Sequence, residues 1–87
     1  MKLFKEIEKA FPRLERQFEA SLWAEFINTS YSDLDRYHWG PGTWIRENFL
    51  GQDTTLYEMF LKQGVFSKDD MSSLILQLFY LYLKGRG

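Results

Sequence analysis

His38 is the chain's single histidine, set between Tyr37 and Trp39 and just before Gly40-Pro41-Gly42. Imidazole is the side chain best suited to move a proton near neutral pH, but it needs a nucleophile or a substrate proton within hydrogen-bond reach. The plainer reading is that His38 bonds a nearby backbone group in the turn. Arg46 lies beside Trp44 and Phe49, and its planar fork suits a carboxylate or a phosphate. A partly buried guanidinium paired with Asp69 or Asp70, its stem packed on an aromatic ring, accounts for it more simply. Asp69 and Asp70 invite thoughts of metal or acid–base work. Neighbours on a helix point about 100° apart, however, so the two carboxylates do not converge on one ion. Complementing the positive end of a helix dipole explains both. Ser72 and Ser73 follow without a motif for nucleophilic catalysis. Gly40-Pro41-Gly42, ahead of a helix, offers free backbone donors to an anion. Its proline removes one donor, and the segment matches neither the phosphate-loop nor the dinucleotide pattern. A rigid turn is the better account.

Two stretches stand out together: Tyr37-His38-Trp39-Gly40-Pro41-Gly42-Thr43-Trp44-Ile45-Arg46-Glu47-Asn48-Phe49 and Ser67-Lys68-Asp69-Asp70-Met71-Ser72-Ser73-Leu74-Ile75. Over about residues 37–85 the chain resembles a family of small bacterial domains of unknown function. That family joins an aromatic-Gly-x-Gly turn and a Trp-Ile-Arg-Asn-Asn helix to a later Pro-Asp-Asp-Met-Ser segment and a tyrosine-rich final helix. Glu47 stands where the first Asn is usual and Lys68 where Pro is usual; residues 1–36 carry no motif. The resemblance implies a bacterial source and a compact helical domain, and no activity.

The elements that must position these residues read as all-α. Leu3, Phe4 and Ile7 mark a first helix over residues 2–10, which Pro12 interrupts. A second runs from Pro12 to Ala20 on Leu14 and Phe18, and a third from Leu22 to Ile27 with Ser21 as cap. The spacing Leu14, Phe18, Leu22, Phe26 also permits one continuous helix. Asn28 to Ser32 is turn-like, and Ser32 or Asp33 caps a brief turn through Tyr37. Thr43 caps a helix from Trp44 to Leu50, ended by Gly51. Asp53 or Thr54 starts the next, with Leu56, Tyr57, Phe60 and Leu61 on its core face and Gly64 as a left-handed cap. Ser67 caps the last helix. From Met71 to Leu83 apolar residues cover well over half its circumference, leaving a narrow stripe of Ser73, Gln77 and Lys84. Gly85 and Gly87 terminate it. The expectation is one domain over residues 1–87, five or six short helices around this carboxyl-terminal one.

Composition narrows the function classes. The 87 residues include no cysteine, which removes disulfides and thiolate-held metals and is compatible with the cytosol. No metal or cofactor is expected. Met1-Lys2-Leu3-Phe4-Lys5-Glu6 has no uninterrupted apolar run, so no secretory signal is expected. Leu74–Leu83 falls short of the roughly 18 apolar residues that span a bilayer. A net charge of −1 and a single small basic cluster, Lys84 and Arg86, argue against nucleic acid. The aromatic share, 18%, exceeds what one stripe per helix requires. Tyr31, Tyr37, Trp39, Phe66, Tyr80 and Tyr82 are the surplus, and rings with arginine are enriched at interface hot spots. The sequence therefore favours a non-catalytic module that binds another protein, of adaptor or toxin-immunity type, through a ring patch near Tyr37–Trp44. The candidate surface is Tyr37, His38, Trp39, Trp44, Arg46, Asn48, Asp69 and Asp70. The alternative is a small-ligand binder or enzyme in which His38, Arg46 and Asp69 or Asp70 converge on a pocket of about 300 Å³ or more. Self-association through the apolar last helix is compatible with either.

Overall fold

Leu3, Ile7, Ala10, Phe11 and Leu14 recur at three- and four-residue intervals, the signature of one helical face. In the computed structural model, which describes residues 2–86, they line the inner side of a single helix, α1 (Lys2–Gln17). The expected break at Pro12 does not occur. A proline inside a helix costs roughly 3 kcal/mol, because it removes a donor and crowds the carbonyl four residues back. Here that carbonyl belongs to Glu8, and both Glu8 and Pro12 face solvent, so water takes over the lost bond. Burial of Ile7, Ala10, Phe11 and Leu14 continues across the proline and outweighs the cost.

The chain bends at Phe18–Glu19, where Glu19 is extended (φ −64°, ψ 150°), and restarts as α2 (Ala20–Ile27). Residues 12–28 are thus neither one helix nor the expected pair, and Ser21 lies inside α2 rather than capping it. The bend lets Trp23 Nε1 donate to the Glu15 carbonyl at 3.0 Å, one of the groups left without a partner where α1 ends. It also sets the Phe18 and Trp23 rings edge to face, 5.6 Å apart.

A 3₁₀ helix, η1 (Tyr31–Tyr37), follows, burying Leu34 and Tyr37 at its three-residue period. Its cap position is Ser30, not Ser32 or Asp33; the Ser30 hydroxyl donates to the Asp33 carboxylate at 3.0 Å. Helix α3 (Pro41–Phe49) begins three residues before the expected start, with Pro41 at the first helical position where its fixed φ fits. Thr43, expected to cap it, lies inside the first turn and bonds elsewhere. Helix α4 (Thr55–Lys62) is capped by Thr54 Oγ1, which accepts from Tyr57 N at 3.2 Å. It closes at Gly64, whose φ of 85° matches the expected left-handed cap. Gly64 N donates to Leu61 O and Val65 N to Phe60 O, both at 3.0 Å, which satisfies carbonyls the helix end would leave open.

Helix α5 (Lys68–Arg86) starts at Ser67, whose Oγ accepts from Asp69 N and Asp70 N. It continues through Gly85, expected to stop it; Gly87 lies outside the described residues. Arg86 holds the last turn in place, its guanidinium bonded to both Glu15 carboxylate oxygens at 2.9 and 2.6 Å and lying 5.2 Å over the Tyr82 ring.

The fold is all-α: five α-helices and one 3₁₀ helix, with no strand among the described residues. As expected, α5 is central: α1, α2, η1 and α3 all pack on it, and α4 leans on α1. Phe79 is the hub, meeting the rings of Phe11, Trp23 and Phe26 at 5.3, 4.9 and 6.1 Å. A second tie is polar. The carbonyl of buried Thr29 accepts from Tyr80 Oη at 2.8 Å, and its hydroxyl bonds Tyr37 Oη at 3.2 Å, joining the end of α2 to η1 and α5. The radius of gyration is 12.3 Å, against about 12 Å for a close-packed chain of this length. Among the described residues no helix is long and apolar enough to cross a membrane.

Candidate functional site

The two sequence stretches singled out above meet at one side chain. Arg46 projects from the second turn of α3 toward the start of α5, its side chain only 14% exposed. A guanidinium carries five N–H donors in a fixed plane. Nη1 donates to Ser72 Oγ at 3.0 Å and reaches His38 Nδ1 at 3.5 Å. Nη2 donates to the His38 carbonyl and to Thr43 Oγ1, both at 3.1 Å. Nε lies 3.6 Å from Asp69 Oδ1. The two terminal nitrogens are therefore bonded within the protein, and Nε faces the Asp69 carboxylate. Arg46 is a strut that fastens the His38–Gly40 turn and α3 to the first turn of α5.

Backbone packing makes room for the strut. A Cβ on Gly42 would lie 3.1 Å from the Tyr37 carbonyl and 3.2 Å from Arg46 Nη1, tighter than such contacts normally run, so this glycine lets α3 start against the preceding turn. Gly40 has open space where a Cβ would be. Ser72, buried in α5, accepts from Arg46 and donates to the Asp69 carbonyl at 3.0 Å.

Among the described residues the His38 ring bonds no backbone group of the turn, unlike the plainer reading; it meets the Arg46 and Asp69 side chains, and the His38 carbonyl accepts from Arg46 Nη2. The ring's Nδ1 faces the Arg46 guanidinium, and Nε2 lies 3.7 Å from Asp69 Oδ1. Asp69 is thus the carboxylate that Arg46 pairs with.

The other candidates go elsewhere. Asp70 is exposed and lines a shallow groove with Phe66 and Leu74. Asn48 is exposed and donates to the Trp44 carbonyl at 2.9 Å. Trp44 turns toward α1, its ring edge-on to Phe49 and Phe18 at 4.9 and 6.3 Å. Tyr37 is buried, its ring against Phe26 at 5.0 Å. The expected ring patch near Tyr37–Trp44 therefore reduces to Trp39, which is 78% exposed and meets the His38 ring edge-on at 4.9 Å. No aromatic ring stacks on Arg46 among the described residues.

No hollow is shared by the polar candidates. A groove of about 380 Å³ beside η1 includes Tyr31, Asp35, His38 and Gln77, but not Arg46, Asp69 or Asp70. A larger one, about 690 Å³, lies between α1, α2 and α5 over Phe18, Trp23, Ile27 and Leu83. Among the described residues no three His, Asp or Glu side chains are grouped to hold a metal ion. The clear electrostatic perturbation is distant from Arg46: the hydrogen bonds from Arg86 hold the Glu15 carboxyl below its ordinary value of 4.5, and the same pairing raises Arg86.

Sequence reasoning missed Thr43, read as a cap, and Ser72, read as featureless. It also missed Thr29, and the Glu15–Arg86 pair that spans 71 residues. Serine and threonine carry no mark in a single sequence that separates an acceptor for a distant arginine from a local cap.

The chain belongs to the family described as domain of unknown function (DUF6794), whose model matches residues 5–83. Membership thus takes in α1 and α2, where the sequence offered no motif. No curated protein and no solved structure matches the chain significantly.

Proposed function

We propose that this domain acts by binding another protein, with Trp39 as the anchoring side chain. The observation that carries the reading is an indole exposed to solvent on a turn that does not move freely. The His38 carbonyl, one residue before it, is gripped by Arg46 Nη2 and approached by Thr43 Oγ1. A large ring presented on pre-ordered backbone enters a partner's pocket with little further loss of conformational freedom, which is how tryptophan comes to dominate interface energetics. A role of adaptor or toxin-immunity type fits the small size and near-neutral charge; the resemblance supports only its bacterial setting, and the cysteine-free composition only its compatibility with the cytosol.

The small-ligand or enzymatic alternative draws support from the meeting of His38, Arg46 and Asp69. It is the weaker reading, because the terminal guanidinium nitrogens already bond Ser72, Thr43 and the His38 carbonyl, Asp70 lines a different groove, and the hollow beside η1 includes only His38 of these residues.

Affinity capture from bacterial lysate tests the proposal, with the native protein, Trp39→Ala and Asn48→Ala as parallel baits. Trp39 is exposed, so its loss should leave stability within about 0.5 kcal/mol. One stoichiometric partner, lost with Trp39→Ala and kept with Asn48→Ala, is the expected result. A partner retained equally by all three baits, or no partner with any, would overturn it.

A further inference from the structure

Five positions make a stripe along the outer side of α5: Asp70, Leu74, Gln77, Leu81 and Lys84, spaced four, three, four and three residues apart. This alternation is the heptad seam by which one helix lies along another at a shallow angle. Four of the five are exposed and Gln77 is half-buried; Leu81 is 54% exposed and Leu74 37%. Phe66, 74% exposed, stands at the amino-terminal end of the stripe and shares a groove with Asp70, Leu74 and Gln77. Phe66, Leu74 and Leu81 thus leave apolar side chains exposed along one side of the molecule.

The stripe is nearly its own complement when read backwards. We infer that it pairs with the same stripe of a second copy, antiparallel, about a two-fold axis at Gln77. In that register Asp70 faces Lys84 of the partner subunit, Leu74 faces the partner's Leu81, and Gln77 faces the partner's Gln77. At about 1.5 Å of rise per residue the facing positions agree in height to within about one residue. Charge selects the orientation. A parallel pair would set Asp70 against Asp70 and Lys84 against Lys84, whereas the antiparallel pair brings opposite signs together at both ends. Neither Asp70 nor Lys84 is ion-paired among the described residues. Such an interface uses one patch on both copies and closes as a dimer. It stands apart from the Trp39 reading, which concerns the turn before α3.

Sedimentation equilibrium over a concentration series, with circular dichroism to check folding, reads this out. The native protein should move from the mass of one copy toward two as concentration rises. Lys84→Asp should weaken association at least about tenfold, and adding Asp70→Lys to it should restore most of the loss. Trp39→Ala should leave association unchanged, which separates this inference from the binding function proposed above. Because the chain has no cysteine, Gln77→Cys supplies a single thiol that should oxidise to a disulfide-linked dimer, while Asn48→Cys should not. A constant single-copy mass together with no Gln77→Cys cross-linking would overturn the inference. So would a dimer indifferent to Lys84→Asp.

Discussion

The carboxyl-terminal half of α5 is gripped by rings: Phe79 meets Phe11, Trp23 and Phe26, and Tyr82 lies 4.8 Å from Phe11. Two turns earlier the same helix is held by one guanidinium spread over Ser72, Asp69, Thr43 and His38. The aromatic grip is non-directional and grows with the apolar area removed from water. The Arg46 grip depends on angle and distance at each of its bonds. The first supplies most of the stability; the second fixes where α3 and the Trp39 turn sit relative to α5.

Phe79→Ala strikes the aromatic grip at its centre. It should cost about 3–5 kcal/mol, the usual range for a deleted core ring that leaves a cavity, read as a lower urea midpoint. Loss of helicity and near-ultraviolet signal should coincide, since the rings of three helices depend on this one. A cost near 1 kcal/mol would mean that the two grips contribute alike, and the contrast would fall.

Arg46→Ala should cost less, about 2–3 kcal/mol, because buried Ser72 and the His38 carbonyl lose a charged donor. That is still more than an exposed charge such as Arg13 should cost when removed. Arg46→Lys is the sharper variant. A single ammonium cannot serve Ser72, Thr43 and the His38 carbonyl at once, so it should recover less than half of the loss by denaturant titration. Full recovery would show that charge alone, rather than the planar fork, joins α3 to α5.

The smallest effect expected lies at the far end of α5. The folded-state pKa of Glu15 is held below 4.5 by Arg86, so the pair stabilises above that pH and its contribution is lost as pH falls through the folded value. Glu15→Gln should therefore be slightly less stable than the native chain at pH 7, and the difference should shrink as pH falls below 4.5. Both groups are substantially exposed, so added salt should also shrink the difference. A gap that persisted in acid would assign the effect to packing instead of charge.

The same contrast explains what could be read from the sequence. Apolar periodicity marked the core face of α4 and much of those of α1 and α5, though Phe4, Leu74 and Leu81 turn out exposed, and local chemistry marked Thr54, Ser67 and Gly64, because caps are decided by neighbours a few residues away. Arg46 was expected to pair with Asp69 or Asp70, and it meets Asp69. What escaped was set by partners distant in the chain. Whether Pro12 stops α1 depends on the burial of Phe11 and Leu14 beneath later helices. The roles of Thr43 and Ser72 depend on where an arginine arrives from. Trp44 and Tyr37 looked like surface rings because nothing local shows that Phe18 and Phe26 will cover them.

The central place of α5 also bears on the order in which structure can appear. Tyr80 is 51 residues from Thr29, Ser72 is 26 from Arg46, and Arg86 is 71 from Glu15. Each of these ties closes a long loop, whose entropy must be overcome before the contact gives anything back. As the chain leaves the ribosome, α1 and α2 emerge with Phe11, Trp23 and Phe26 facing a helix that does not yet exist. Burial of those rings therefore has to wait for α5.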